Sequence, residues 1–166
     1  MLAAHDPYPA LVVDRHWELV TANRGLGLIT AGAAPHLLEP PVNALRLALH
    51  PEGLAPRTLN LGEWRHHTLS RLERHWRVSG DPALGALLEE LRGYPGEELG
   101  EAEVNAGHDV FVPFRMRAPD GGELSFVGTI ATFGTALDVT VAELSIESFF
   151  PADDATAAAC RAFAPR

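Results

Sequence analysis

Hydrophobic and polar positions divide the chain into three blocks, of which the first has the pattern of short strands. The apolar run 10–13 and the segment 17–21 flank a polar stretch, as in two strands joined by a turn. Asn23 follows the second segment and is a residue type that caps helices, so a short helix is predicted over residues 24–31.

The middle block repeats its apolar residues at helical spacing. Residues 42–50 predict one helix, which Pro51 ends. A longer helix begins after Asn60, which forms a capping-box pattern with Glu63, and it stops at Gly80. The apolar stripe of the longer helix consists of Leu61, Trp64, Thr68, Leu72 and Trp76.

A third helix follows directly. Asp81 and Pro82 are suited to the N-cap and the first helical position, and Gly93 ends the helix. Its stripe consists of Leu84, Leu87, Leu88 and Leu91. Residues 94–109 are acidic and poor in aliphatic side chains, so they predict an exposed loop.

The last block has the pattern of long strands. Alternation over residues 110–116 and a turn at 119–122 predict a hairpin, in which Pro113 favours an edge strand. The segment 124–133 is apolar at nearly every position, as in a central strand covered on both faces. After a turn at Gly134, residues 137–149 predict a third strand, and acidic residues near 153 begin a final helix.

Together these elements predict an α+β fold. Two short and three long strands would make a five-stranded antiparallel sheet, with the middle helices across one face and a helix at the C-terminus. This is the PAS arrangement. At 166 residues with 46% apolar content, the chain fits a single domain over residues 1–166.

Charge and cysteine content narrow the function. The 13 basic and 22 acidic residues give a formal charge of −9, which repels phosphate backbones, so the chain alone is not expected to bind DNA. The single cysteine, Cys160, cannot form an internal disulfide and fits a reducing compartment. No apolar run is long enough to span a bilayer. A cytoplasmic protein without membrane contact is the expectation.

Several sequence motifs, in a fixed order along the chain, resemble those of a known family. They are Asp6-Pro-Tyr-Pro-Ala-Leu-Val-Val-Asp14, residues 17–23, Asn43-Ala-Leu-Arg-Leu-Ala-Leu-His-Pro51, residues 123–126, 132–135 and 137–140, and Glu147-Ser-Phe-Phe-Pro-Ala-Asp153. From about residue 5 to residue 156 the chain resembles the ligand-binding domain of MmyB-like transcription regulators.

The resemblance implies a PAS-like fold that follows an N-terminal helix-turn-helix domain of the XRE type. That domain would read DNA, while this one binds a small apolar or fatty-acyl ligand. The DNA-reading domain is expected to lie outside this sequence, so that DNA is reached only through it.

The apolar faces of helices and central strand predict where a ligand would lie. Candidate lining residues are Leu45, Leu49, Trp64, Thr68, Leu72, Phe126, Gly128 and Ile130. The other face of the central strand, with Val127, Ala131 and Phe133, could contribute instead. Arg46 and Arg65 are candidates for anchoring an acidic head group. A filled core without a cavity is the alternative.

Catalytic and metal-binding patterns are weak. Glu63, His66, His67 and His75 lie on one predicted helix, but no HExxH motif or cysteine pair accompanies them, so no metal site is predicted. No nucleophile elbow and no glycine-rich phosphate loop occurs, so neither a catalytic nucleophile nor a cofactor is expected. Glu143 and Glu147 share one strand face, either as paired carboxylates or as markers of a solvent or partner face.

Three functions follow from these patterns. The first is a non-enzymatic sensor that acts as a homodimer. The second is a small α+β barrel enzyme that uses His50 or His67 with Asp138 in a central cavity. The third is a dimerisation module with a filled core.

Overall fold

The protein is built around a five-stranded antiparallel sheet. The computed structural model describes residues 2–96, 112–132 and 144–163 of the chain. The strands are β1 (Ala10–Val13), β2 (Leu19–Ala22), β3 (Phe114–Arg117), β4 (Glu123–Thr132) and β5 (Ser145–Pro151), in the spatial order β2-β1-β5-β4-β3. The last strand therefore lies in the centre, between β1 and β4. This order confirms the predicted α+β, PAS-like sheet.

The helices lie between and after the strands. They are α1 (Leu26–Thr30), α2 (Ala44–Leu49), α3 (Leu61–Ser79), α4 (Pro82–Arg92) and α5 (Asp154–Phe163). Short 3-10 turns occur at Leu2–His5, Pro35–Leu37 and Ala55–Arg57. Within the described residues, no helix combines the length and the apolar character that crossing a membrane requires.

Local capping explains the pair α3 and α4. Gly80 adopts a left-handed conformation with φ of +66° and ends α3, because its backbone N–H donates to Trp76 O. Asp81 then caps α4 by accepting a hydrogen bond from Ala83 N at 2.9 Å, with Pro82 in the first turn. Both helix boundaries, and the buried leucine stripe of α4, are as predicted.

Two other predicted caps are wrong. Asn23 does not cap α1: its side chain accepts from Ala10 N and donates to Tyr8 O, so it secures the start of β1. Asn60 forms no side-chain cap on α3 either. Its amide donates to Pro113 O and its carbonyl accepts from Arg115 N, which ties the start of α3 to strand β3. Partners distant in sequence hold both side chains, and the Asn60 amide also donates to Glu63 Oε2 at 3.0 Å without capping the helix.

Strand β4 is covered over only half of its length by the described residues. Leu124 and Phe126 are buried, whereas residues 129–132 are exposed, so the prediction that both faces are covered is wrong for the second half. Helix α5 contacts the first half, where Thr156 Oγ1 accepts from Ser125 N. The predicted loop from residue 97, the strand starts at residues 110 and 137, and the turn at Gly134 lie outside the described residues.

The register of the sheet defines an inner face. Leu11 of β1 lies opposite Glu147 of β5, and Glu147 lies opposite Ile130 of β4. Residues directly opposite each other project to the same face of a sheet. Phe149, two residues after Glu147, shares that face, and the long helix α3 approaches it where Trp64 meets Phe114 with ring centroids 4.7 Å apart.

Candidate functional site

A narrow apolar cavity lies between the inner face of the sheet and helices α1, α2 and α3. The volume open to the centre of a water-sized sphere is about 50 Å³. Its wall consists of Leu11, Leu19, Leu26, Ile29, Thr30, Val42, Ala44, Leu45, Leu47, Ala48, Leu54, Trp64, Thr68, Arg71, Phe114, Glu147 and Phe149. Most of these side chains are aliphatic or aromatic, so the wall is suited to an apolar guest.

Helix α2 supplies one side of the cavity, and a single asparagine holds its start. The Asn43 side chain accepts hydrogen bonds from Leu45 N and Arg46 N, both at 3.1 Å, and donates to His16 O at 2.9 Å. Asn43 is buried, and its bond to Leu45 N is shielded from water. The cap therefore fixes the direction in which Leu45 and Ala48 meet the cavity.

Helix α3 supplies another part of the wall through residues at positions i, i+4 and i+7. Trp64, Thr68 and Arg71 follow this spacing and so share one face of the helix. Trp64 stacks near His67 with ring centroids 5.9 Å apart. Burial, together with the nearby cations Arg71 and Arg74, lowers the pKa of His67 below its usual value of 6.5.

The two charged residues of the wall pair with each other. Arg71 Nη1 lies 3.1 Å from Glu147 Oε1, which joins α3 to the central strand β5. The Arg71 guanidinium also lies over the Trp17 ring, 4.5 Å from its centroid. Glu147 is therefore an inward-facing, buried carboxylate, and the prediction that it marks a solvent or partner face is wrong. Glu143 lies outside the described residues.

The structure brings together some of the predicted lining residues. Leu45, Trp64 and Thr68 line the cavity. Leu49, Leu72 and Phe126 are fully buried core residues that do not line it, and Gly128 packs near the Phe149 ring. Ile130 is 39% exposed and lines a neighbouring, wider groove, which it shares with Trp17 and Arg71. Arg71 thus stands between the cavity and the groove.

Neither predicted anchoring arginine lines the cavity. Arg46 forms a two-contact ion pair with Glu90, with both N–O distances at 2.8 Å, and this pairing raises its pKa and lowers that of Glu90. Glu90 also accepts from the Tyr94 hydroxyl. Arg65 is buried and donates to Leu91 O and Arg92 O, the last carbonyls of α4. Both arginines therefore have structural partners.

The histidines named for catalysis also lie outside the cavity wall. The His50 ring packs against His36 and Tyr94, and its Nδ1 accepts a hydrogen bond from Glu52 N at 3.0 Å. The side chains of His36, His50 and Glu52 come close enough to share a metal ion, a grouping that the sequence pattern did not reveal. Asp138, the predicted partner of a catalytic histidine, lies outside the described residues.

Sequence reasoning missed the Arg71–Glu147 pair. One signal was available: Arg71 continues the spacing of Trp64 and Thr68 on the same helix face. A second was the parity of Glu147 with Phe149 on an otherwise apolar strand. The pairing itself spans 76 positions, so no local pattern could connect the two residues.

The sheet order, the helices on its inner face and the apolar cavity between them define a PAS-like ligand-binding domain. The chain belongs to the family of MmyB-like transcription regulator ligand binding domains, whose family model matches residues 1–163. No curated protein sequence shows significant similarity to the chain.

Proposed function

We propose that this chain is the sensing domain of a bacterial transcriptional regulator and that it binds a small apolar molecule, of the fatty-acyl kind, without chemical turnover. The observation that carries the proposal is the cavity wall, which is apolar apart from a few polar groups. Its carboxylate and its cation pair with each other, and no histidine belongs to the wall within the described residues. Such a wall favours binding over acid–base catalysis.

The size of the cavity provides a route from binding to signal. About 50 Å³ holds only a few atoms, so an acyl chain of ordinary length must push the walls apart. Helix α1 contains five residues and has no side-chain cap, in contrast to α2, which Asn43 holds in place. Ligand binding would therefore select a second packing of α1 against the sheet.

In this proposal, the second packing alters how the domain positions a DNA-reading helix-turn-helix domain of the XRE type elsewhere in the same regulator. Dimerisation would let two such heads read paired half-sites. The homodimer, the cytoplasmic location and the fatty-acyl class of ligand are parts of the proposal. The family supports the general role, a ligand-binding domain of transcription regulators.

Binding of saturated acyl compounds from octanoyl to tetradecanoyl chains tests the proposal. Purified protein is examined by native mass spectrometry before and after addition of each compound. We expect complexes of one ligand per chain, and at least tenfold weaker binding by Ala48→Phe, which fills the cavity. Ala158→Phe, on the exposed surface of α5, is the matched control. No uptake of any of these compounds by the wild-type protein would refute the proposal.

A further inference from the structure

Buried hydrogen-bond donors without partners lie in and next to the cavity wall. Within the described part of the chain, Trp64 Nε1, Thr68 Oγ1, Arg71 Nε and Trp17 Nε1 have no hydrogen-bond partner although all four atoms are buried. Trp64 is 6% exposed and Thr68 is 1% exposed. Buried polar atoms nearly always find a partner, and an unsatisfied one lowers stability by about 1–3 kcal/mol.

Three of these donors belong to the cavity wall. Trp64, Thr68 and Arg71 line it from successive turns of α3, and Trp17 lies beneath the Arg71 guanidinium. Indole N–H and guanidinium N–H groups can only donate, and the threonine hydroxyl can do so as well. A hydrocarbon chain alone would leave all of them unsatisfied. The complementary guest carries acceptor oxygen atoms at one end of an apolar body.

The charge state of the Arg71–Glu147 pair decides which acceptor fits. Arg71 is already neutralised by Glu147, through a single contact from Nη1, and its Nε remains without a partner. In contrast, Arg46 uses both Nε and Nη2 for its carboxylate. Arg71 Nε can therefore donate a hydrogen bond to one more oxygen atom. A second carboxylate would add an uncompensated negative charge beside this largely buried pair, whereas an uncharged carbonyl oxygen would not.

We propose that the cavity selects an uncharged acyl derivative, such as an amide, ester or lactone, whose carbonyl oxygen accepts hydrogen bonds from Thr68 and Arg71. Glu147 is the specificity-determining residue, because it holds Arg71 as a neutral pair and so excludes free carboxylates. The proposal rests on the proposed function, since it assigns the head group of the same ligand.

Octanamide and octanoate test the proposal because they have the same size and shape and differ in charge. Their affinities for the full chain are measured at pH 8 by titration calorimetry. We expect wild-type protein to bind octanamide at least tenfold more tightly than octanoate. Glu147→Gln, which keeps the size of the side chain and removes its charge, is expected to reverse this order. Thr68→Val is expected to weaken octanamide binding about tenfold.

The outcomes separate the two proposals. Tighter binding of octanoate by the wild-type protein would overturn the inference, and so would equal affinities that Glu147→Gln and Thr68→Val leave unchanged. In either case, loss of binding in Ala48→Phe would show that the cavity still takes an apolar ligand and that only the head-group assignment fails. If the wild-type protein binds neither compound nor any longer acyl chain, both proposals fail.

Discussion

Asn43 is a single residue on which one wall of the cavity depends. Its side chain caps α2 and also reaches the backbone at His16, so it satisfies three polar groups from two parts of the chain. The sequence pattern predicted a helix over this region, and Asn43 is part of the motifs that resemble the family. Its two roles, the cap on α2 and the bond to His16 O, depend on tertiary contacts that no local pattern reveals. Capping in isolation is worth about 1 kcal/mol.

We predict that Asn43→Ala lowers the free energy of unfolding by about 2–3 kcal/mol, because it removes the cap and leaves buried donors and an acceptor without partners. Urea denaturation followed by tryptophan fluorescence measures the change. Asn43→Ser is the matched control: its hydroxyl oxygen keeps an uncharged acceptor for the helix start and it loses the donor to His16 O, so it should fall between the alanine variant and the wild type. Equal effects of both substitutions would contradict this division.

His67 makes stability depend on pH. Because burial and neighbouring arginines lower its pKa in the folded protein, the unfolded chain takes up a proton at a higher pH than the folded chain does. The contribution of His67 to the free energy of unfolding is therefore complete above its usual pKa of 6.5, and it is lost as the pH falls below that value. We predict that His67→Gln flattens the fall in stability between about pH 7.5 and about pH 5.

Chemical denaturation at several pH values measures that slope. The exposed His36→Gln is the control, because His36 is not among the groups that lower the pKa of His67. If His67→Gln and His36→Gln change the slope equally, then burial of the His67 ring does not govern the pH dependence.

Among the elements, those with local signals were the ones that the sequence predicted well. Helices α3 and α4 carry a glycine stop, an aspartate cap and a periodic stripe within a few residues of one another, and their boundaries agree with the structure. The helix starts assigned to Asn23 and Asn60 were wrong as side-chain caps because residues distant in sequence, in and just before strands β1 and β3, bind these side chains. The extent of coverage of β4 likewise depends on where α5 lies, which no pattern within β4 reveals.

Arg65 joins two of these elements. It is buried on α3 and donates to the last carbonyls of α4, where a cation also interacts favourably with the helix dipole. We predict that Arg65→Met lowers the free energy of unfolding by about 2–3 kcal/mol, because at least one buried carbonyl loses its partner. The exposed Arg74→Met on the same helix should change it by less than about 0.5 kcal/mol.

The same variant separates a structural role from a role in ligand anchoring. Because Arg65 does not line the cavity, Arg65→Met is expected to bind octanamide with wild-type affinity at a temperature where the variant is fully folded. A loss of affinity without a loss of stability would restore Arg65 as an anchor.

Gly53 closes the loop after α2. A Cβ atom at this position would lie 2.2 Å from Leu47 O, a backbone atom that also accepts from Leu54 N. We predict that Gly53→Ala destabilises the protein by about 2 kcal/mol or more, because the loop must shift away from the helix. Thermal unfolding measures this effect, and the exposed neighbour Glu52→Ala is the control. A wild-type midpoint for Gly53→Ala would show that this loop is free to move.

For the whole molecule, the five-stranded antiparallel sheet and the family were accessible from sequence, while the location of the charged pair in the cavity wall was not. The pattern of apolar residues predicted the number of strands and their antiparallel arrangement, and the order of the sequence motifs identified the family. Arg46 and Arg65 were reasonable anchors by their helical positions, but Glu90 and the end of α4 bind them. Arg71 lines the cavity instead, because its partner Glu147 belongs to β5, the central strand of the sheet.

The overall charge leads to a prediction about division of labour in the regulator. The chain has 22 acidic and 13 basic residues and a formal charge of −9. Within the screening length of the solution it therefore repels a polyanion such as DNA. Non-specific DNA binding depends on cations that neutralise phosphates, and its strength rises steeply as salt is lowered. We therefore predict that the 166-residue chain does not retard duplex DNA at about 50 mM salt, with or without octanamide. Electrophoretic mobility shift with a random duplex measures this. Saturable binding that weakens on going to about 200 mM salt would show that this domain itself contacts phosphates and would place part of the DNA interface on it.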